Sequence, residues 1–307
     1  MKWRCMWPAK RWFASACILG VTRTSSERHT ANDSWGEYRL VHRVVQSQAT
    51  EIWEVAHQRR NQTCAMKIMM PHWAGSRHVI QSLKREYNVG RTLDHHTVIQ
   101  TYGYGVIDRI AFLVMEFYPA PNLKQWTHQK TPEEKDLARV IRSMAESLCY
   151  FHQQNWVHRD IKPDNFLVGD AGEVKLIDFN LAKKLPSWLR RVLPIQSKVQ
   201  GTPSYMSPEQ IRGEPQDFRS DIYSFGCVLF ELLTGKPPFT GESANDLLNK
   251  HLRATVPSPQ RFNAAIRPAY SEQVQRLLSK RPDDRPCTMD QVREYLSNQE
   301  IFTSVKT

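Results

Sequence analysis

Residues 156–180 read WVHRDIKPDNFLVGDAGEVKLIDFN, and this stretch decides how the rest of the chain is read. Asp160 follows His158 and Arg159, Asn165 comes five residues later, and Asp178 stands before Phe179 and Asn180. Between them the residues spell a hairpin. Phe166, Leu167 and Val168 form a short apolar run, 169–172 is turn chemistry, and Val174, Leu176 and Ile177 form the return strand. A hairpin folds its ends together, so Asp160 and Asn165 are expected to face Asp178 across one small volume. Asp178 and Asn165 would offer the hard oxygens that Mg²⁺ prefers. Asp160 would be left to accept a proton from a hydroxyl.

The octet HRDIKPDN at 158–165, with Asp178-Phe179 behind it, resembles the catalytic core of eukaryotic-type (Hanks-type) protein kinases. That family's loop is H-R-D-L-x-x-x-N followed by D-F-G. A bare D-x-x-x-x-N would be a weak signal; the octet with Asp-Phe at the family's distance is a strong one. The resemblance implies an α+β, two-lobed protein-kinase fold, with a small β-rich lobe and a larger helical one. Lys162, two residues after Asp160, is the serine/threonine signature. GTPSYMSPEQ at 201–210 is most similar to the peptide-docking and A-P-E segment of bacterial members.

Upstream, 38–45, 51–57 and 63–70 are β-rich runs separated by polar turns. The third contains Cys64-Ala65-Met66-Lys67, similar to the V-A-I-K strand, so Lys67 would reach the α and β phosphates. A helix is expected over 77–93, with Glu86 placed to pair with Lys67. Strands at 98–107 and 110–117 follow. The second resembles the hinge, with Met115 behind the adenine and backbone groups of Glu116 and Tyr118 bonding the base. Val45, Ile52, Ala65 and Leu167 would complete the nucleotide site. Thr131-Pro132-Glu133-Glu134 reads as a helix start. Leu137, Val140, Ile141, Met144, Leu148 and Phe151 then recur on one helical face, which reads as core.

Downstream, 181–200 is rich in Lys, Arg, Leu and Ser and holds no acidic residue. By resemblance, a phosphate on Ser197, or else Ser187, would pair with Arg159 and order this loop. Thr202 would contact Asp160 and Lys162. Residues 219–233 form an almost wholly apolar helix that Gly235 ends, and such a helix is buried. Arg285 would pair with Glu209, and Thr288 to Gln291 would cap one more helix.

Composition sets the outer bounds. The 307 residues are 40% hydrophobic and 24% charged, ordinary for a globular protein, with a net charge of +11. That charge fits solubility and a phosphate-binding cleft, and no specific nucleic-acid binding is expected from it. Six cysteines are scattered without a Cys-x-x-Cys pair, so the cysteines give no disulfide framework and no zinc site and read as reduced thiols in a cytoplasmic setting. No apolar run approaches the roughly 18 residues of a membrane span. Residues 1–34, with Trp3, Trp7 and Trp12 among the charges, read as a basic, disordered segment or as one upstream of the true start, in preference to a secretory leader. The domain is expected over 35–300, with lobes at 35–118 and 119–300 and a tail at 301–307.

The sequence departs from the family at three places. The glycine-rich loop aligns with 45–52, which holds no glycine, so the lid over ATP should be weakened or reshaped. Asn180 replaces the Gly of D-F-G, a milder change because Asn tolerates left-handed backbone. Gly90 stands where a bulky residue usually packs on Phe179, so the helix carrying Glu86 should be loosened. Three readings follow. The first is an active serine/threonine kinase using ATP and Mg²⁺ on protein hydroxyls, with Asp160, Lys162, Lys67, Glu86, Asn165 and Asp178 as its catalytic set. The second is a pseudokinase scaffold with weak nucleotide binding. The third is a small-molecule phosphotransferase, which would lack the docking segment at 201–209.

Overall fold

In the computed structural model, residues 29–31, 33–129, 132–185 and 200–303 are described. One antiparallel sheet in the order β1-β2-β3-β4-β6-β5 builds the small lobe. Its strands are β1 (Ser34–Trp35), β2 (Tyr38–Gln46), β3 (Thr50–His57) and β4 (Gln62–Met69). Helix α1 (Arg77–Gly90) follows, then β5 (Thr101–Ile107) and β6 (Ile110–Glu116). β3 alternates buried and half-buried residues along its length, as a strand with one face on the core must. Its buried face includes Glu51, tolerated because the carboxylate accepts from the Trp53 indole at 2.8 Å and from Arg43 at 3.1 Å. Helix α1 has no side-chain cap and no acidic residue in its first turn. Its buried Val79, Leu83, Glu86 and Val89 recur at helical spacing, so packing on β5 and β6 holds it.

The larger lobe starts with α2 (Leu123–Gln129) and α3 (Glu134–Gln153). Short strands β7 (Trp156–Val157), β8 (Phe166–Val168), β9 (Val174–Leu176) and β10 (Lys183–Lys184) carry the catalytic stretch. The expected hairpin forms, with Phe166 opposite Leu176 and Val168 opposite Val174. Then come α4 (Pro208–Ile211), α5 (Phe218–Thr234), α6 (Ala244–Arg253), α7 (Pro268–Leu277) and α8 (Met289–Ser297). Helix α5 is buried on nearly all sides, capped by Asp217 and ended by Gly235 at φ 72°. Thr288 caps α8 by accepting from the Gln291 amide at 3.3 Å. The stripe of α3 from Leu137 to Phe151 is buried as read.

Several details differ from the sequence reading. Helix α3 begins at Glu134 with Glu133 as N-cap and no side-chain cap bond, while Thr131 lies outside the described residues. Helix α1 stops at Gly90, and 98–100 is not strand; there the chain pairs Val98 with Leu176 instead. Packing extends past both expected borders. His29 is buried against Trp35 and bonds the Met69 carbonyl at 3.2 Å, and Thr303 donates to Ala265 at 2.8 Å. Cys64, Cys149 and Cys227 are buried free thiols and Cys287 an exposed one. Among the described residues, no helix is long and apolar enough to cross a membrane.

Candidate active site

Strand β4 brings Lys67 to the cleft, and α1 turns Glu86 toward it. Their charged atoms meet at 2.8 Å, with Asp178 at 3.5 Å from the same ammonium. Burial alone would lower the Lys67 pKa, but the carboxylates of Asp178 and Glu86 outweigh it and hold the ammonium above its usual range. For Asp178 burial acts upward. Lys67, His158, Lys162 and the Asn180 amide win, and the carboxyl sits below its ordinary value. Asp178 is therefore a charged group ready for a cation. Asn165 is buried, and its side-chain amide donates to the Asp160 carbonyl at 2.7 Å. That bond uses the nitrogen and leaves the amide oxygen as a hard ligand. The Ile177 amide donates to the Asn165 carbonyl at 3.0 Å, tying the loop beside Asp178. A carboxylate and an amide oxygen are donors that fit Mg²⁺.

Asp160 forms a second cluster. Lys162 lies 2.9 Å from one carboxylate oxygen, and the Thr202 hydroxyl and amide donate to the other at 3.0 and 3.1 Å. Lys162 also donates to the Thr202 hydroxyl at 3.2 Å. The 201–210 segment is thus fastened to the proposed base, as the sequence reading expected of Thr202.

The residues expected to wall the nucleotide come from both lobes. Val45 pairs with Ile52, Ile52 with Lys67, and Ala65 with Met115, so these residues share adjoining rungs of one sheet. Leu167 lies on β8 and bridges to Asn122 after the hinge. At Glu116 the backbone reading narrows. Its amide already donates to Gln100 at 2.8 Å, which leaves the carbonyl as the candidate for a base. Its carboxylate pairs with Lys175 at 2.8 Å, and the Tyr118 hydroxyl donates to Glu173 at 2.9 Å. These side chains tie the hinge to the β8–β9 hairpin, so they matter more than the sequence suggested.

Two departures look different in three dimensions. The turn at 47–49 is closed by the Ser47 hydroxyl, which donates to the Thr50 carbonyl at 2.9 Å and accepts from the Thr50 amide at 3.1 Å. The Ala49 carbonyl accepts from Met70, and the Gln48 carbonyl from the Trp73 indole. The lid is reshaped into a side-chain-fastened hairpin. Asn180 does not need its left-handed tolerance: the positive φ falls on Asp178, at 64°.

The sequence reading passed over Asp221. This fully buried residue of α5 accepts from the His158 and Arg159 amides at 2.7 and 2.8 Å and pairs with His152 at 2.9 Å. Arg159 has φ 71°. Asp221 holds its amide, Gln210 its carbonyl at 2.9 Å and Gln216 its guanidinium at 2.6 Å, so the strained loop is fixed from three sides. A carboxylate in the first turn of a helix read as buried was the available signal, because a buried charge requires partners. Ser187 and Ser197 lie outside the described residues.

A curled sheet over a helical lobe, with a lysine–glutamate pair above and a tethered aspartate loop below, defines the protein-kinase class of fold. The protein kinase domain family matches residues 38–296, and the chain belongs to it. It is 34% identical over 79% of its length to the serine/threonine-protein kinase PrkC of Bacillus subtilis. It is 32% identical over 78% to PknB of Mycolicibacterium smegmatis, and 30% over 81% to PknL of Mycobacterium tuberculosis. The chain spans 36% of PrkC, 39% of PknB and 62% of PknL. These relatives are bacterial and carry serine/threonine-protein kinase names, in line with the Hanks-type resemblance. Members of the family use ATP as the phosphoryl donor, typically with Mg²⁺.

Proposed function

We propose that this chain transfers the γ-phosphate of ATP to serine and threonine hydroxyls of protein substrates, itself among them. The observation that carries the reading is the tethering of Asp160 and Lys162 to Thr202 while Lys67, Glu86 and Asp178 are already assembled. Lys67, braced by Glu86, holds the α and β phosphates. Asp178 and the Asn165 oxygen would hold Mg²⁺, which when bound offsets charge on the phosphates. Asp160 orients the substrate hydroxyl and accepts its proton, and Lys162 stabilises the transferring phosphoryl group. Met115, Ala65, Val45, Ile52 and Leu167 enclose the adenine, with backbone groups of Glu116 and Tyr118 at its edge. The protein's contribution is positioning and preorganised charge.

The glycine-free lid was the ground for a scaffold reading; the assembled ion pair and ordered lid favour turnover instead. The 201–210 segment favours a protein acceptor over a small molecule. We assign the domain to about 35–300, with His29 and Thr303 packed onto it at its two ends, and its buried thiols support a cytoplasmic setting. The test is radiolabelled γ-phosphate transfer to the chain itself and to a generic basic protein. Asp160→Asn and Lys67→Met should each lower the rate on the order of 10²-fold or more. Wild-type rates in either variant would remove the site assignment.

A further inference from the structure

We propose that His95, His96 and Glu146 form a Zn²⁺ site that fastens the segment leaving α1 to helix α3. Each residue offers one ligand atom, and these atoms all lie within 4.8 Å of one another. His96 Nε2 is 3.5 Å and His95 Nε2 3.9 Å from the same Glu146 oxygen. Tetrahedral Zn²⁺ with bonds of about 2.1 Å places its ligands about 3.4 Å apart, so the two contacts to Glu146 need little contraction and the histidine pair must close by at most about 1.4 Å. Two imidazoles and a carboxylate are a zinc-type donor set with one position left for water.

The surroundings prepare the site. The His95 ring stacks on Tyr150 with centroids 4.4 Å apart, and the His96 ring lies 4.3 Å from it. His95 Nδ1 is 2.7 Å from the Thr97 hydroxyl. Nδ1 also accepts from the Thr97 amide at 3.3 Å, so the metal-free ring points its Nε2–H at Glu146; a bound ion would take the place of that proton, and Nδ1–H would then donate to the Thr97 hydroxyl. Lys175 is the nearby opposing cation, and Glu116 neutralises it at 2.8 Å. The location gives the metal a consequence. Residues 91–100 link the helix carrying Glu86 to β5, whereas Glu146 belongs to α3 in the other lobe. A bound ion would join the two lobes behind the cleft, away from Asp160 and Asp178.

The experiment uses the full chain, freed of any purification tag and stripped of metal, titrated with Co²⁺ and then with Zn²⁺. A visible d–d band that Zn²⁺ displaces is expected in the wild type. His96→Ala and Glu146→Ala should each weaken binding by about tenfold or more. Both side chains are solvent-accessible, 71% and 40%, so the metal-free melting temperature should stay unchanged. Where an alanine variant melts lower, His96→Gln and Glu146→Gln give the same readout with less lost packing. A missing cobalt band, or equal affinity in wild type and variants, would overturn the proposal and leave a surface histidine–glutamate ion pair.

Discussion

At Gly90 an added Cβ would collide with the Thr101 hydroxyl, come within 2.9 Å of Thr101 Cβ and touch Phe179 at 3.5 Å. The sequence reading expected a missing bulky residue here to loosen α1. The structure corrects this, because Thr101 and Phe179 already fill the space, and Phe179 stacks on Phe151 with centroids 5.5 Å apart. The glycine is what lets α1 approach closely enough for Glu86 to reach Lys67. Gly90→Leu should therefore destabilise the fold by about 1–3 kcal/mol, the usual cost of overpacking, and reduce phosphoryl transfer as the ion pair separates. Thermal unfolding and the transfer assay check this, and an equally stable, equally active variant would show that Thr101 can move aside. Asp221 belongs to the same scale: one buried carboxylate fixes two amides of the catalytic loop.

Among the elements, the lid between β2 and β3 departs most from its family. Glycine would give its backbone freedom to close on phosphates; here a serine supplies rigidity instead. Removing the Ser47 hydroxyl would leave the Thr50 amide without its side-chain acceptor. One such hydrogen bond contributes about 1 kcal/mol net, which corresponds to roughly fivefold in affinity. Ser47→Ala is expected to weaken ATP binding by that factor in a nucleotide titration. Unchanged affinity would mean that the turn's stiffness plays no part in holding the nucleotide.

For the whole molecule, buried titratable groups set the response to pH. His251 on α6 is fully buried, bonded to the Tyr223 hydroxyl at 2.9 Å and packed on Phe239. Burial, aided by the Lys280 cation, lowers its pKa from 6.5 to about 4. Between those values the unfolded chain binds a proton that the folded chain does not. Its contribution is full above 6.5 and is lost as pH falls toward 4, on the order of 3 kcal/mol in all. Burial raises Glu86 to about 7, which slopes the opposite way over much of this range, so the wild-type curve alone is a poor readout. His251→Gln isolates the histidine's contribution. Denaturant titrations should show the variant losing less stability than wild type between pH 6.5 and pH 4, and parallel curves would refute the assignment. At lower pH, Asp221 and Glu209 add losses of their own. Burial acts upward on both, yet His152 and Arg285 hold them below their ordinary values, so their support disappears as pH drops through those depressed values.

Local patterns determined much of this. The alternation in β3, the stripe on α3 and the turn residues of the β8–β9 hairpin are short-range signals, and a chain that obeys them has few alternatives. The octet at 158–165 fixed the order of the chemical groups, and the Arg285–Glu209 pair, bidentate at 2.8 and 2.9 Å, was legible from its motifs. Tertiary structure alone decided three other things. Gly90 is a close-approach residue because Thr101, from the next strand, occupies the space a side chain would need. The positive φ belongs to Asp178 and not Asn180 because the cluster around Lys67 dictates the backbone there. The convergence of His95, His96 and Glu146 depends on α3 packing beneath the segment after α1, a contact across fifty residues that no spacing rule encodes.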